Sequence, residues 1–306
     1  MGDSDSPAQG LLTFCFALAL FSLIGSTSKA DESLSGLRHD VRTLPEQDQP
    51  RLHLVEGGDP RPVDDPSYSD ADELGDEFAE ELLGPTLATA FLLGVAAPFY
   101  CPHVCLGDSF HDPGYFAHFP YQYDVGYMLI DPHEVLGLEG PCQPHAFATR
   151  ARGEVGTGFD DLDWIGGRVQ LDTTSRWGLE SDFRYVREDL DAGRDSLWLG
   201  DANVLFRFAQ SESIQFRTGL GMNFLSDTVG SDFGFNFTYA FDCQPVRPLT
   251  FSAELDLGTL GHASVVHVRT TAGVSWGVSE AYLGYDLYDI GSTQIQGLVA
   301  GVQIWY

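Results

Sequence analysis

A single lysine, Lys29, occurs in the 306 residues; arginine supplies the rest of the 16 cationic side chains, against 45 Asp and Glu. A formal charge of -29 excludes nucleic acid as a partner, because binding phosphates requires clustered cations. Arginine without lysine suits fixed, two-pronged pairing with carboxylates better than a loose solubilising charge. Long apolar runs are scarce as well. Only one or two stretches approach the roughly 20 apolar residues of a spanning helix, which excludes a helical membrane protein. No C-x-x-C-H motif and no calcium-loop spacing occurs, so no haem or other cofactor is expected.

The amino-terminal region reads as an export signal. Leu11 to Ile24 is apolar and is followed by Ser28 and Ala30, which places cleavage after Ala30. Met1 to Gly10 lacks the usual cation, and an uncleaved anchor is the alternative. Cleavage removes Cys15 and leaves Cys101, Cys105, Cys142 and Cys243. In an exported chain these most simply form two disulfides, with connectivity open. The alternative is a zinc site from Cys101, Cys105, Cys142 and His145, disfavoured by irregular spacing and an oxidising compartment.

Three regions follow the signal. Residues 31–83 are acidic and rich in Pro, Gly, Ser and Asp, and read as a disordered arm. Residues 84–146 combine an apolar run, aromatics and cysteines, and read as a small periplasmic cap. From 147 to 306 the chain keeps strict period two. Leu249, Phe251, Ala253, Leu255 and Leu257 alternate with Thr250, Ser252, Glu254, Asp256 and Gly258, and the other segments behave alike. Ten strands fit, near 147–157, 162–174, 177–188, 196–209, 213–225, 231–242, 248–259, 263–276, 279–290 and 294–306. The fold class is therefore all-β, an antiparallel up-and-down transmembrane barrel.

A soluble β-sandwich would alternate too, but its polar face would be bulk surface, where lysine is common. Here that face carries Arg168, Glu180, Arg184, Asp201, Arg207, Arg217, Glu254, Asp256, His267 and Arg269, assigned to a lumen where opposite charges satisfy each other. A packed polar core is preferred over a narrow solute path, since ten strands enclose little room. Trp177, Trp198, Trp276, Tyr285 and Tyr306 sit near strand ends on the apolar face, as an interfacial girdle would.

The final strand carries Leu298, Ala300, Val302, Ile304 and Tyr306 on one face. This pattern resembles the carboxyl-terminal signature of bacterial outer-membrane β-barrel proteins, and segments such as "FGFNFTYAFD" are similar to uncharacterised small barrels of that kind. The resemblance implies an outer-membrane destination, lipid as surroundings and recognition by the barrel-assembly machinery. With Tyr306 periplasmic, the connections near 190–195, 226–230, 260–263 and 290–293 face outside, and the region before the barrel is expected in the periplasm. All four are short, which disfavours large porins and adhesins.

The expected role is structural or that of a small pore, without catalysis. Two alternatives are a barrel hydrolase using Asp160, Asp161, Asp163, Asp189, Asp191 or His262 at the outer rim, and a soluble exported sandwich that binds a ligand. "GDSF" at 107–110 lacks the strand-to-helix context of an esterase nucleophile.

Overall fold

The computed structural model describes residues 33–43, 96–109, 114–117, 119–121, 126–129, 145–159, 162–190 and 193–306. The chain divides into two compact units, Met1–Leu44 with Pro102–Tyr306, and Pro45–Cys101. The described residues of the second, 96–101, are helical. The expected signal peptide lies outside the described residues, as do Cys142, Asp160, Asp161 and Asp191.

In the first unit, helix α1 (Leu34–Arg42) precedes a two-stranded ribbon, β1 (Tyr115–Phe116) with β2 (Met128–Leu129). Ten longer strands follow: β3 (Phe147–Gly158), β4 (Leu162–Thr173), β5 (Trp177–Leu190), β6 (Gly193–Gln210), β7 (Ile214–Ser226), β8 (Ser231–Val246), β9 (Leu249–Leu260), β10 (Ala263–Trp276), β11 (Ser279–Ile290) and β12 (Thr293–Trp305). Each pairs antiparallel with its neighbours in sequence, and β12 pairs with β3 from Gly297↔Gly158 to Trp305↔Arg150, which closes the barrel. Closure leaves no edge whose amides and carbonyls would need water. The one sheet wrapped on itself excludes the two-sheet sandwich.

Alternation along the strands is inverted relative to a soluble sheet. In β9, Phe251 and Leu257 are exposed while Thr250, Glu254 and Asp256 are buried. Ile165, Leu179, Leu220, Phe235, Leu283 and Leu298 continue the apolar outer wall. Trp177, Trp198, Trp276 and Tyr306 are exposed on the same wall near strand ends.

At the closing seam, a Cβ on Gly156 of β3 would overlap the Trp164 indole, and one on Gly297 of β12 would crowd its edge. Glycine there lets the ring lie flat over the seam from inside. In β6 and β7 the register slips by one residue between Arg207 and Ala209, a bulge that sequence alternation did not reveal.

The arm expected to be disordered contains α1, a correction to that reading. Ser33 caps it, its hydroxyl accepting from the Gly36 amide at 3.1 Å. Leu34, Leu37 and Val41 are fully buried on one face, against Leu197, Leu199, Leu225, Leu260, Ile290 and Ile295. Burying such a side chain contributes about 1.5–3 kcal/mol, which together with the rim ion pairs works against the cost of ordering nine residues that would not hold a helix alone.

Among the described residues Cys101, Cys105 and Cys243 are present as thiols, and Cys142, the fourth cysteine of the expected disulfides, lies outside them. Cys243 has Ile214 and Phe251 as ladder partners, so no cysteine stands opposite it.

Candidate functional site

The strands bring the ten residues assigned to the lumen into one interior, all buried, together with buried Arg150, Glu154, Asp172, Asp182, Asp242, Glu280 and Asp286 and half-buried Arg152. Asp182 is the hub. Its carboxylate meets Arg168 Nε at 2.8 Å, Arg152 at 3.0 Å and Arg269 at 3.4 Å. Arg168 spans the lumen from β4 to β9 and donates from both terminal nitrogens to Glu254. Asp286 on β11 meets Arg184 at 3.0 Å and Arg269 at 2.9 Å. Asp242 takes Arg150 at 3.2 Å and also pairs with Arg217, and the Ser252 hydroxyl donates to it at 2.6 Å.

Charges so enclosed must be matched by opposite charges and hydrogen bonds, because the strands remove them from water and desolvation is costly. Most of these side chains find at least one partner, while single buried atoms such as Asp182 Oδ1, Arg184 Nε and Arg217 Nε are left without a hydrogen bond among the described residues. A lumenal cavity of about 20 Å³, walled by residues including Arg217, Asp242 and Glu254, has room for about one water. The interior is packed.

His267 lies between two carboxylates, with Nδ1 2.6 Å from Asp256 and Nε2 3.4 Å from Asp286, and stacks on Tyr288. Glu254, Asp256 and His267 are the one trio among the described residues whose potential metal-ligand atoms converge within 4.8 Å. Glu254 accepts from Arg168 through both oxygens, and Asp256 accepts from the Thr238 hydroxyl at 2.6 Å besides facing His267. The two carboxylates are thus engaged by Arg168, Thr238 and His267.

Each mouth is covered. At the turn side, the end opposite Tyr306 that holds the 190–193, 226–231, 260–263 and 290–293 connections, α1 fills the opening. Arg38 grips Asp195 through two nitrogens, one at 2.8 Å, and reaches Asp227 at 2.6 Å. Arg42 donates to Asp227 and Asp232. Asp40 accepts from the Ser292 amide and hydroxyl at 2.8 and 2.7 Å, the Leu34 amide donates to Glu188 at 3.0 Å, and the His262 amide donates to the Val41 carbonyl at 2.8 Å. These partners draw on four hairpin turns or their flanking residues.

The Tyr306 end is closed by the β1–β2 ribbon and the residues before it. Phe116, Tyr127 and Met128 pack with Ala148 and Trp305, and Arg207 and Arg150 lie over the Phe116 and Trp305 rings. Asp108 binds Arg176 two-pronged at 2.6 and 2.7 Å and accepts from the Gln210 amide. The sequence reading does not anticipate α1, which carries no motif, whereas the ribbon falls within residues 84–146, the region read as a periplasmic cap.

The rim residues considered for hydrolysis do not converge among the described residues. Asp163 faces Arg187 at 3.6 Å and Asp189 faces Arg194 at 2.9 Å, all on the exposed rim.

One antiparallel sheet closed on itself, greasy outside and ionic within, defines a β-barrel of the bacterial outer-membrane type. Two solved structures are similar in outline, both of Ail, the attachment invasion locus protein of Yersinia pestis. The first is 10% identical, covers 53% of this chain and 99% of that chain, and has a TM-score of 0.27. The second, in complex with the heparin analogue sucrose octasulfate, is 12% identical over 52% of this chain and 98% of that chain, at 0.28. The class rests on the strand ladder and the inverted burial, not on these scores. No family model and no curated protein sequence matches the chain.

Proposed function

We propose that this protein is a sealed, non-conducting barrel of the outer membrane with a structural role and no catalysis. The observation that carries the reading is the ion-paired lumen, whose cavity beside Arg217, Asp242 and Glu254 measures about 20 Å³ among the described residues. A solute path would have to break several buried ion pairs, so the small-pore reading has no geometric support here. The hydrolase reading lacks a convergent acid and base among the described rim residues.

In this proposal the outer wall contacts lipid, and β12, with Leu298, Ala300, Val302, Ile304 and Tyr306 facing out, is the strand offered to the barrel-assembly machinery. The Tyr306 end then faces the periplasm and α1 lies in the outward mouth. Residues 33–43 thus sit on the opposite side from the periplasmic placement expected of the whole amino-terminal region.

Reconstitution into planar bilayers tests the role. Heat-modifiable, correctly folded protein is expected to leave the membrane silent, and discrete conductance steps would overturn the structural reading.

A further inference from the structure

The turn-side mouth has the chemistry of a receptor. Its floor is apolar, formed by Leu197, Leu199, Leu225, Leu260, Ile290 and Ile295. Its rim is acidic: Asp163, Glu188, Asp189, Asp195, Asp227 and Asp232 stand against Arg187 and Arg194 of the barrel. Nothing in that wall depends on α1. The ladder closes through β3 to β12 alone, and α1 adds no strand pairing to it.

α1 meets the mouth as a bound peptide would. Leu34, Leu37 and Val41, at helical spacing, enter the floor, while Arg38 and Arg42, one turn apart, take the rim carboxylates. His39 points away, its side chain 73% exposed. Nine residues are too few to hold a helix in water, so the helicity of α1 derives from the docking surface. Any segment with the same pattern gains the same contacts. The two-pronged Arg38–Asp195 and Arg42–Asp227 pairs favour arginine over lysine in such a segment.

We propose that this mouth is a docking site for a short, arginine-bearing amphipathic helix of a partner protein, with α1 as its resident, displaceable occupant. Charge complementarity selects the partner: with α1 withdrawn, six rim acids face two arginines over an apolar floor. The tether gives α1 a high local concentration, so an outside helix competes only when α1 is unseated. The site is independent of conductance and stands whether or not the lumen proves silent.

The test uses the full chain in detergent micelles and a fluorescent peptide of residues 31–44 as probe, read by anisotropy. Leu37→Glu places a charge on the apolar floor and unseats α1 in the chain. This variant is expected to bind the peptide at least about tenfold more tightly than the wild type, whose mouth is filled. Adding Asp195→Asn and Asp227→Asn to it is expected to weaken binding by about tenfold or more, and a scrambled peptide is expected not to bind. Equal binding by wild type and Leu37→Glu, binding untouched by the two Asn changes, or equal binding of the scrambled peptide would each overturn the proposal. Should Leu37→Glu lose its heat-modifiable mobility, the chain with Arg38→Glu and Arg42→Glu unseats α1 by repulsion at the rim and is read by the same comparisons.

Discussion

Arg42 and Asp227 are joined by two parallel hydrogen bonds, Nη1 to Oδ2 at 3.2 Å and Nη2 to Oδ1 at 3.0 Å, which tie α1 to the β7–β8 turn. Arg42 holds the Asp227 carboxyl well below its ordinary 3.8, against a smaller opposing effect of burial, with the Gly230 and Val229 amides and Arg38 adding to the depression. A carboxylate with a depressed folded-state pKa contributes stability that is present above its unfolded value and lost as pH falls through the folded one. The seat of α1 is therefore expected to be constant from neutral pH down to about 4 and to loosen below that. A spin label at His39→Cys reads this directly: mobility flat to about pH 4 and rising below it fits, and a rise between about pH 7 and 5 does not.

Removing the cation that spans the lumen leaves several acids unmatched. Arg168→Ala strands Glu180 and Glu254, both buried, takes one of three arginines from Asp182, and is expected to cost about 3–5 kcal/mol. Arg168→Lys keeps the charge but loses the fork that takes both Glu254 oxygens, and should fall between. Thermal unfolding in micelles, followed by the heat-dependent gel shift, decides; an unchanged transition in the alanine variant would show that the network is dispensable.

The seam glycines make a separate demand. Gly156→Leu drives a side chain into the Trp164 ring, which is buried beside Val299 and Ile295 and has little room to yield. Overpacking of this kind costs about 1–3 kcal/mol. The same substitution at Gly153, where an added Cβ meets nothing within 4 Å, is expected to be much milder. Equal melting of the two variants would contradict the close seat of the Trp164 ring on Gly156.

Unseating α1 should not make the barrel conduct. Beneath the floor of the mouth the lumen is still filled by Arg168, Asp182, Arg184, Arg269 and their partners. The Leu37→Glu protein is expected to be as silent in planar bilayers as the wild type. Steps seen only in the variant would make α1 the sole barrier.

The barrel was legible in the sequence because a wall one residue thick, with lipid on one side and ions on the other, imposes period two on nearly every strand. The segment "AFATRARGEVG" holds most of β3, which β12 needs as its closing partner. The lumen residues were legible for the same reason, since charge recurs on the face opposite Phe235 or Leu255. Their pairing was not: Arg168 and Glu254 are 86 positions apart and meet only when the cylinder closes. α1 was hidden because three apolar residues in a Pro- and Asp-rich stretch are too short a pattern, and its order comes from a surface formed by residues 150 or more positions later. The bulge at Phe208 left no local mark, because Arg207 and Gln210 are polar and buried on either side of it.

The plugged interior also dictates an order of assembly. A helix with its side chains is about 10 Å across, far wider than anything the finished lumen admits. Once β12 has zipped onto β3, α1 has no route to its seat from the Tyr306 end. α1, joined through the chain to the residues that plug that end, is therefore expected in its seat before the last seam forms, and a trapped half-closed barrel would show it there.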